Sequence, residues 1–333
     1  MVDARRLAFS PGKFAPAWWL PGGHAQTVYG GRLRPVPPLT LRTEQWLMGD
    51  GQPVRVDVAD ARDANAPSLV VLHGLESACD AANVRGMLKV GTARGWAAFA
   101  PSFRGCSGVP LQVTKSYHAG YIDDLEDVLL KVSELRPRAP IVLVGISLGG
   151  NVTLKMLGSS ARLPSSLKAA CTVSSPFRLQ ACTAALDGFD PMVRIYRTLF
   201  LRDIRAKVRH YRAAFPGRLG NVDHTMITSF TSFDQHISTR ATGSASVEEY
   251  WANHSSERFL PAIRIPVLLI NADDDPLVPG ATIPIDVIAD QPLLHLSRHA
   301  RGGHVAFIAG GPAAPRFFAE EEAGRFFDQV LAL

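Results

Sequence analysis

Apolar positions along the chain gather into short, nearly unbroken runs separated by longer stretches of helical period. The runs Val54–Val58, Leu69–Leu72, Ala97–Ala100, Ile141–Val144, Ala169–Val173, Val267–Ile270 and Leu293–Leu296 predict strands. Several are apolar throughout, as parallel strands covered on both faces must be. Between them, Ala81–Arg94, Tyr121–Leu135, Leu148–Gly158 and Arg316–Leu331 predict helices. The alternation implies right-handed crossovers and an α/β fold built on a doubly wound, mostly parallel sheet. The rhythm breaks between Val173 and Val267, where helical patches occur without a core strand. That segment predicts a helical cap inserted at about residues 176–262, over the C-terminal edge of the sheet. Residues 1–40 stand apart again, with six prolines, the pair Trp18-Trp19 and little helical or strand period. Linkers rarely carry two tryptophans, so these residues predict an arm packed on a core of residues 41–333.

Composition narrows the class. A chain of 333 residues, 47% apolar and 20% charged, can bury a sizeable core in one large unit. A formal charge of +5 is a mild excess over such a surface and points away from a nucleic-acid partner. The four cysteines, Cys79, Cys106, Cys171 and Cys182, form no CxxC pair and read as reduced thiols of a cytoplasmic protein. No apolar stretch follows Arg5 and Arg6, so no secretory signal is predicted. The longest apolar run, around Ile141–Ile146, is far shorter than the roughly 20 residues of a spanning helix. A soluble protein without an integral membrane segment is expected.

The chemistry is announced by Gly145-Ile146-Ser147-Leu148-Gly149, directly after a predicted strand and opening a predicted helix. A serine hydroxyl is a weak nucleophile unless it is exposed, aimed and paired with a base. A sharp strand-to-helix turn lifts it clear of the sheet, and flanking glycines remove the Cβ atoms that would collide there. The following helix N-terminus supplies the amide of Leu148 as an oxyanion donor. A second donor is expected from the loop after Leu69–Leu72, where His73-Gly74-Leu75 offers the amide of Leu75. His73 itself reads as structural.

An acid and then a histidine should follow the serine, each at a C-terminal strand end. Asp273-Asp274-Asp275 and Gly302-Gly303-His304 occupy those places. Asp275, four residues before Pro279, is preferred over Asp274. His304, preceded by two glycines, is preferred over His295, which lies in a predicted strand, and over His299. No ligand set for a metal stands near the aspartates, and no metal or cofactor is expected.

These residues reach a family likeness. The chain resembles the YheT-like branch of the α/β hydrolases, the AB hydrolase 4 family, which includes the eukaryotic ABHD1–ABHD3-like proteins. The likeness rests on Pro21-Gly-Gly-His-Ala-Gln-Thr27, His73-Gly-Leu-Glu76, Phe103-Arg-Gly-Cys-Ser-Gly108 and Gly145-Ile-Ser-Leu-Gly-Gly-Asn151. Asn271-Ala-Asp-Asp-Asp-Pro276 and Gly302-Gly-His304 continue it along nearly the whole chain. The first segment is the most specific to the branch. The resemblance implies the α/β-hydrolase fold, carboxylic-ester hydrolysis on short acyl esters or phospholipids, and Ser147, Asp275 and His304 as the triad. Ile146 departs from the aromatic or bulky residue common in relatives, which bears on pocket shape.

Three activities fit this pattern. The first is a serine esterase acting on short- to medium-chain acyl esters. The second is a phospholipase-like lipid esterase or acyltransferase using the same site. The third, a non-catalytic binding protein on this fold, would ordinarily have lost a member of the triad. Arg194–Arg212 carries seven basic residues against Asp203, with Leu201, Ile204, Val208 and Tyr211 at helical spacing. It predicts a cap helix with a solvated basic face; peripheral contact with an anionic membrane is the alternative use of that face.

Overall fold

In a computed structural model, which describes residues 9–332, the apolar runs become the middle of an eight-stranded sheet. Its strands are β1 (Arg42–Leu47), β2 (Pro53–Ala59), β3 (Ser68–Leu72), β4 (Ala97–Pro101), β5 (Ile141–Ile146), β6 (Leu167–Val173), β7 (Val267–Ala272) and β8 (Leu294–His299). Their spatial order is β1-β2-β4-β3-β5-β6-β7-β8. β2 pairs antiparallel with β1 and β4, and the remaining pairings are parallel. Arg5 and Arg6 lie outside the described residues.

The helices are α1 (Gly22–Val28), α2 (Ala82–Ala93), α3 (Asp123–Leu135), α4 (Leu148–Ser159), α5 (Leu179–Leu186), α6 (Pro191–Ala214), α7 (Phe230–Phe233), α8 (Thr239–Thr242), α9 (Val247–His254), α10 (Ile285–Ala289) and α11 (Phe318–Leu331). The sheet shows why its strands are apolar on both parities. Leu69, Val71, Val142 and Val144 pack with Met87 and Leu88 of α2 and Phe326 of α11. Their neighbours Val70, Leu72, Ile141 and Leu143 pack with Leu129 of α3 and Val152 and Met156 of α4. Burying each such side chain is worth about 1.5–3 kcal/mol, so a charge on either face of β3 or β5 would be destabilising.

Helices α5 to α9 lie between β6 and β7. The longest, α6, opens with Asp190 accepting the amides of Met192 and Val193, and has Pro191 in its first turn. Leu201, Ile204 and Val208 form a small separate core with Leu219, Ile227 and Phe230. The residues before β1 run against the C-terminal part of the chain: Phe9 stands edge-on to Phe326, and the amide of Ala17 donates to the carbonyl of Ile308.

The structure departs from the sequence expectations in places. Strand β1 was not anticipated, because it is an edge strand in which Trp46 alone is buried. Helix α1 forms within the proline-rich arm, which the lack of apolar period had concealed. The residues around Arg316 form a hairpin, β9 (Ile308–Gly311) with β10 (Ala314–Phe317), and the last helix starts two residues later, at Phe318. Strand β8 continues to His299, so both rival histidines lie on it. All four cysteines are buried and unpaired. No helix among the described residues is long and apolar enough to cross a membrane.

Candidate active site

Ser147 stands between β5 and α4 with φ 53° and ψ −119°. A non-glycine residue in that region costs of order 1–3 kcal/mol, tolerated only where the surroundings fix it. Here the amide of Ser147 donates to the carbonyl of Val173 at 2.8 Å, and its carbonyl accepts from Gly150 at 2.8 Å. The turn runs tight against the next loop: a Cβ on Gly149 would lie 2.5 Å from the carbonyl oxygen of His73.

The Oγ of Ser147 is 2.9 Å from Nε2 of His304, and Nδ1 of His304 is 2.8 Å from Oδ2 of Asp275. Asp275 is buried, and its Oδ1 also accepts the amides of Leu277 and Val278. A carboxylate fixed in this way accepts a hydrogen bond from Nδ1–H, which keeps the proton on Nδ1 and leaves Nε2 as an acceptor for the serine hydroxyl. The aspartates divide cleanly. Asp273 pairs with Arg298, Asp274 Oδ1 accepts the amide of Gly303 at 2.9 Å, and of the three aspartates it is Asp275 that bonds the His304 ring. Among the described residues no group of three His, Cys, Asp or Glu is arranged to hold a metal.

The loop carrying His304 is unusual. Gly303, Val305 and Phe307 all have positive φ, at 60°, 63° and 46°. Its amides are held by side chains from elsewhere. His304 N–H donates to Thr27 Oγ1 at 2.8 Å, Val305 N–H to Ser174 Oγ at 2.9 Å, and Ile308 N–H to Gln26 Oε1 at 2.8 Å. Gln26, Thr27 and Ser174 had not been read as site residues, and Asp274 had been weighed only as the rival acid; the first two sit in the Pro21–Thr27 segment, the only sequence signal that marked them.

Of the remaining expectations, Leu75 and Leu148 line the same cavity as Ser147 and His304. Gly74 brings Leu75 close, since a Cβ there would be 3.1 Å from Cβ of Ser147. His73 is fully buried, donates from Nδ1 to the carbonyl of Gly74 and accepts the amide of Phe103 at Nε2. Burial pushes its pKa down to about 4, so the ring is neutral and structural. His295 packs against Phe326, and His299 bonds Ser297.

The basic helix differs from expectation. Lys207 turns inward, 3.0 Å from Glu76 and 2.9 Å from Sγ of Cys106. Arg205 donates to the carbonyl of Ile227, and Arg212 to that of Val222. The face taken to be solvated is therefore partly consumed in holding the cap to itself and to the loop of Leu75. Met192, Ile195, Leu199, Phe200, Phe233 and Ile237, from the helices between β6 and β7, wall a cavity of about 1600 Å³ that reaches Ser147.

A mostly parallel sheet with a serine on its central strand-to-helix turn, and an acid and a histidine on later strand ends, defines a class. Residues 67–310 match the family model for the alpha/beta hydrolase fold, and the chain belongs to that family as an esterase/lipase-type hydrolase. Within it, the chain lies in the YheT/ABHD3-like branch. It is 31% identical over 326 residues to the esterase-named YheT of Escherichia coli (strain K12), covering 96% of this chain and 94% of that protein. It is 27% identical over 307 residues to phospholipase ABHD3 of Homo sapiens, covering 89% and 74%. Among solved structures it resembles the Pyrococcus furiosus esterase Pf2001, with a TM-score of 0.58 at 17% identity, over 89% of this chain and 96% of that one. That last likeness is one of fold.

Proposed function

We propose that the chain hydrolyses carboxylic esters through an acyl-enzyme on Ser147. His304 takes the hydroxyl proton as Oγ attacks the ester carbonyl, then returns it to the departing alcohol. Water attacks the acyl carbonyl as it loses a proton to the same Nε2, and that proton passes to the Ser147 oxygen as the acid leaves. Asp275 holds the imidazole in the tautomer each step needs and offsets the charge it gains. The amides of Leu75 and Leu148 bind the oxyanion. None of these steps calls on a metal or cofactor. The observation carrying this reading is the unbroken hydrogen-bonded chain from Ser147 through His304 to buried Asp275, opening onto an apolar cavity.

A fluorophosphonate should label Ser147, and Ser147→Ala should keep its fold while losing label and turnover by roughly 10⁴-fold or more. Label on another residue, or turnover surviving the substitution, sinks the assignment.

Cavity size favours a second reading of the substrate. Pockets for small ligands usually hold about 300–1000 Å³, and this one holds about 1600 Å³. A long acyl chain or a lipid ester fits that space better than the short- to medium-chain acids anticipated from sequence.

A further inference from the structure

We propose that Gln26 and Thr27 are positioning residues for the base, holding the loop of His304 at the angle the reaction requires. This rests on His304 acting as the base. The loop cannot hold itself: three of the five residues from Gly303 to Phe307 lie at positive φ, two of them with side chains that disfavour it. Such a backbone persists only where bonds from outside over-determine it.

Helix α1 supplies those bonds next to the ring and at the end of the loop. The Thr27 hydroxyl donates to the carbonyl of Gly23 at 2.7 Å, which turns its lone pairs toward the incoming amide of His304 at 2.8 Å. The Gln26 carboxamide, almost fully buried, pairs in both directions with Ile308. Its Oε1 accepts the amide at 2.8 Å, and its Nε2 donates to the carbonyl at 3.1 Å. Backbones come unusually close at the same place. A Cβ on Gly303 would lie 2.4 Å from the carbonyl oxygen of Gly23, and one on Gly23 would lie 1.9 Å from that of Asp274. Helix α1 is thus wedged between the acid loop and the base loop, touching both.

The amides of this loop need acceptors for the fold as well as for the site. Directional polar bonds to the amide of the histidine itself fix where its ring points. A base displaced by about 1 Å loses on the order of 10²-fold in rate, so these bonds act on kcat rather than on substrate binding.

The test compares Thr27→Val, which keeps the shape and removes the acceptor, with Thr27→Ser, which keeps the oxygen. Turnover, fluorophosphonate labelling rate and melting temperature are measured for each. Thr27→Val should lower kcat and the labelling rate by roughly 10- to 100-fold with KM little changed, and Thr27→Ser should stay near wild type. If the valine variant does not fold, Thr27→Ala against Thr27→Ser reads the same difference below their melting temperatures. Wild-type kcat without the hydroxyl, or equal losses with and without it, overturns the proposal. His304→Ala run alongside separates the two readings. If it stays active, His304 is not the base; if it is dead while Thr27→Val is normal, only the positioning role fails.

Discussion

Asp274 and Asp275 are adjacent, chemically identical and differently employed. Asp275 bonds Nδ1 of His304, and on the proposed mechanism sets its tautomer, whereas Asp274 accepts the amide of Gly303. Asp275→Asn replaces an acceptor by a group that can present an N–H to Nδ1 and favour the wrong tautomer, and such changes cost on the order of 10⁴ in kcat. Asp274→Asn retains an oxygen for Gly303 and should lose far less. Equal losses in kcat/KM, or the reverse order, would contradict this division. At this scale the sequence was legible where function is local: Ser147 sits in its turn signature, and His304 follows two glycines. Choosing among three aspartates used only the offset to Pro279. Thr27 and Gln26 carried no such signal, because their partners lie 277 and 282 positions away.

Elements followed their hydrophobic period where packing demanded it. The buried strands β3, β5, β6 and β7 and helices α2 to α4 were readable because each must be apolar to sit in the core. Strand β1, the β9–β10 hairpin and α1 were not, since backbone pairing and glycine-assisted approach define them more than apolar period does. Helix α6 was legible as a helix, but not the inward turn of Lys207 onto Glu76, beside Leu75. That contact, with the volume under the cap, sets the substrate expectation. On p-nitrophenyl esters kcat/KM should keep rising beyond medium-length acids, by less than about 1 kcal/mol per methylene. Because Arg205, Lys207 and Arg212 are engaged within the protein, anionic vesicles should add little to the rate. A maximum at butyrate, or strong vesicle activation lost at high salt, would overturn this account.

For the whole molecule, three histidines tie stability to pH. Burial first, and neighbouring basic groups second, hold the pKa of His73 at about 4, of His118 at about 3 and of His254 at about 4. The unfolded chain protonates these rings near 6.5, so between about 6.5 and 4 it binds more protons than the folded one. Their contribution therefore falls as pH drops through that window and is flat above it. His118 accepts the amide of Gly120 at Nδ1, a bond Asn can imitate through its side-chain oxygen. His118→Asn should accordingly show a smaller fall in melting temperature between pH 7 and pH 5 than wild type; an unchanged fall would exonerate the ring. The overall α/β plan was visible from alternating runs, but the meeting of α1 with the loop of His304 was not. That meeting has a consequence in time. Ribosomes add about 5–20 residues per second, so Thr27 waits roughly 15 to 55 seconds for the amide of His304, 277 residues later, to emerge. Until then a growing chain contains Ser147 without the histidine that stands beside it in the folded protein. On the proposed mechanism, activity toward esters begins only when the loop of His304 has packed against α1.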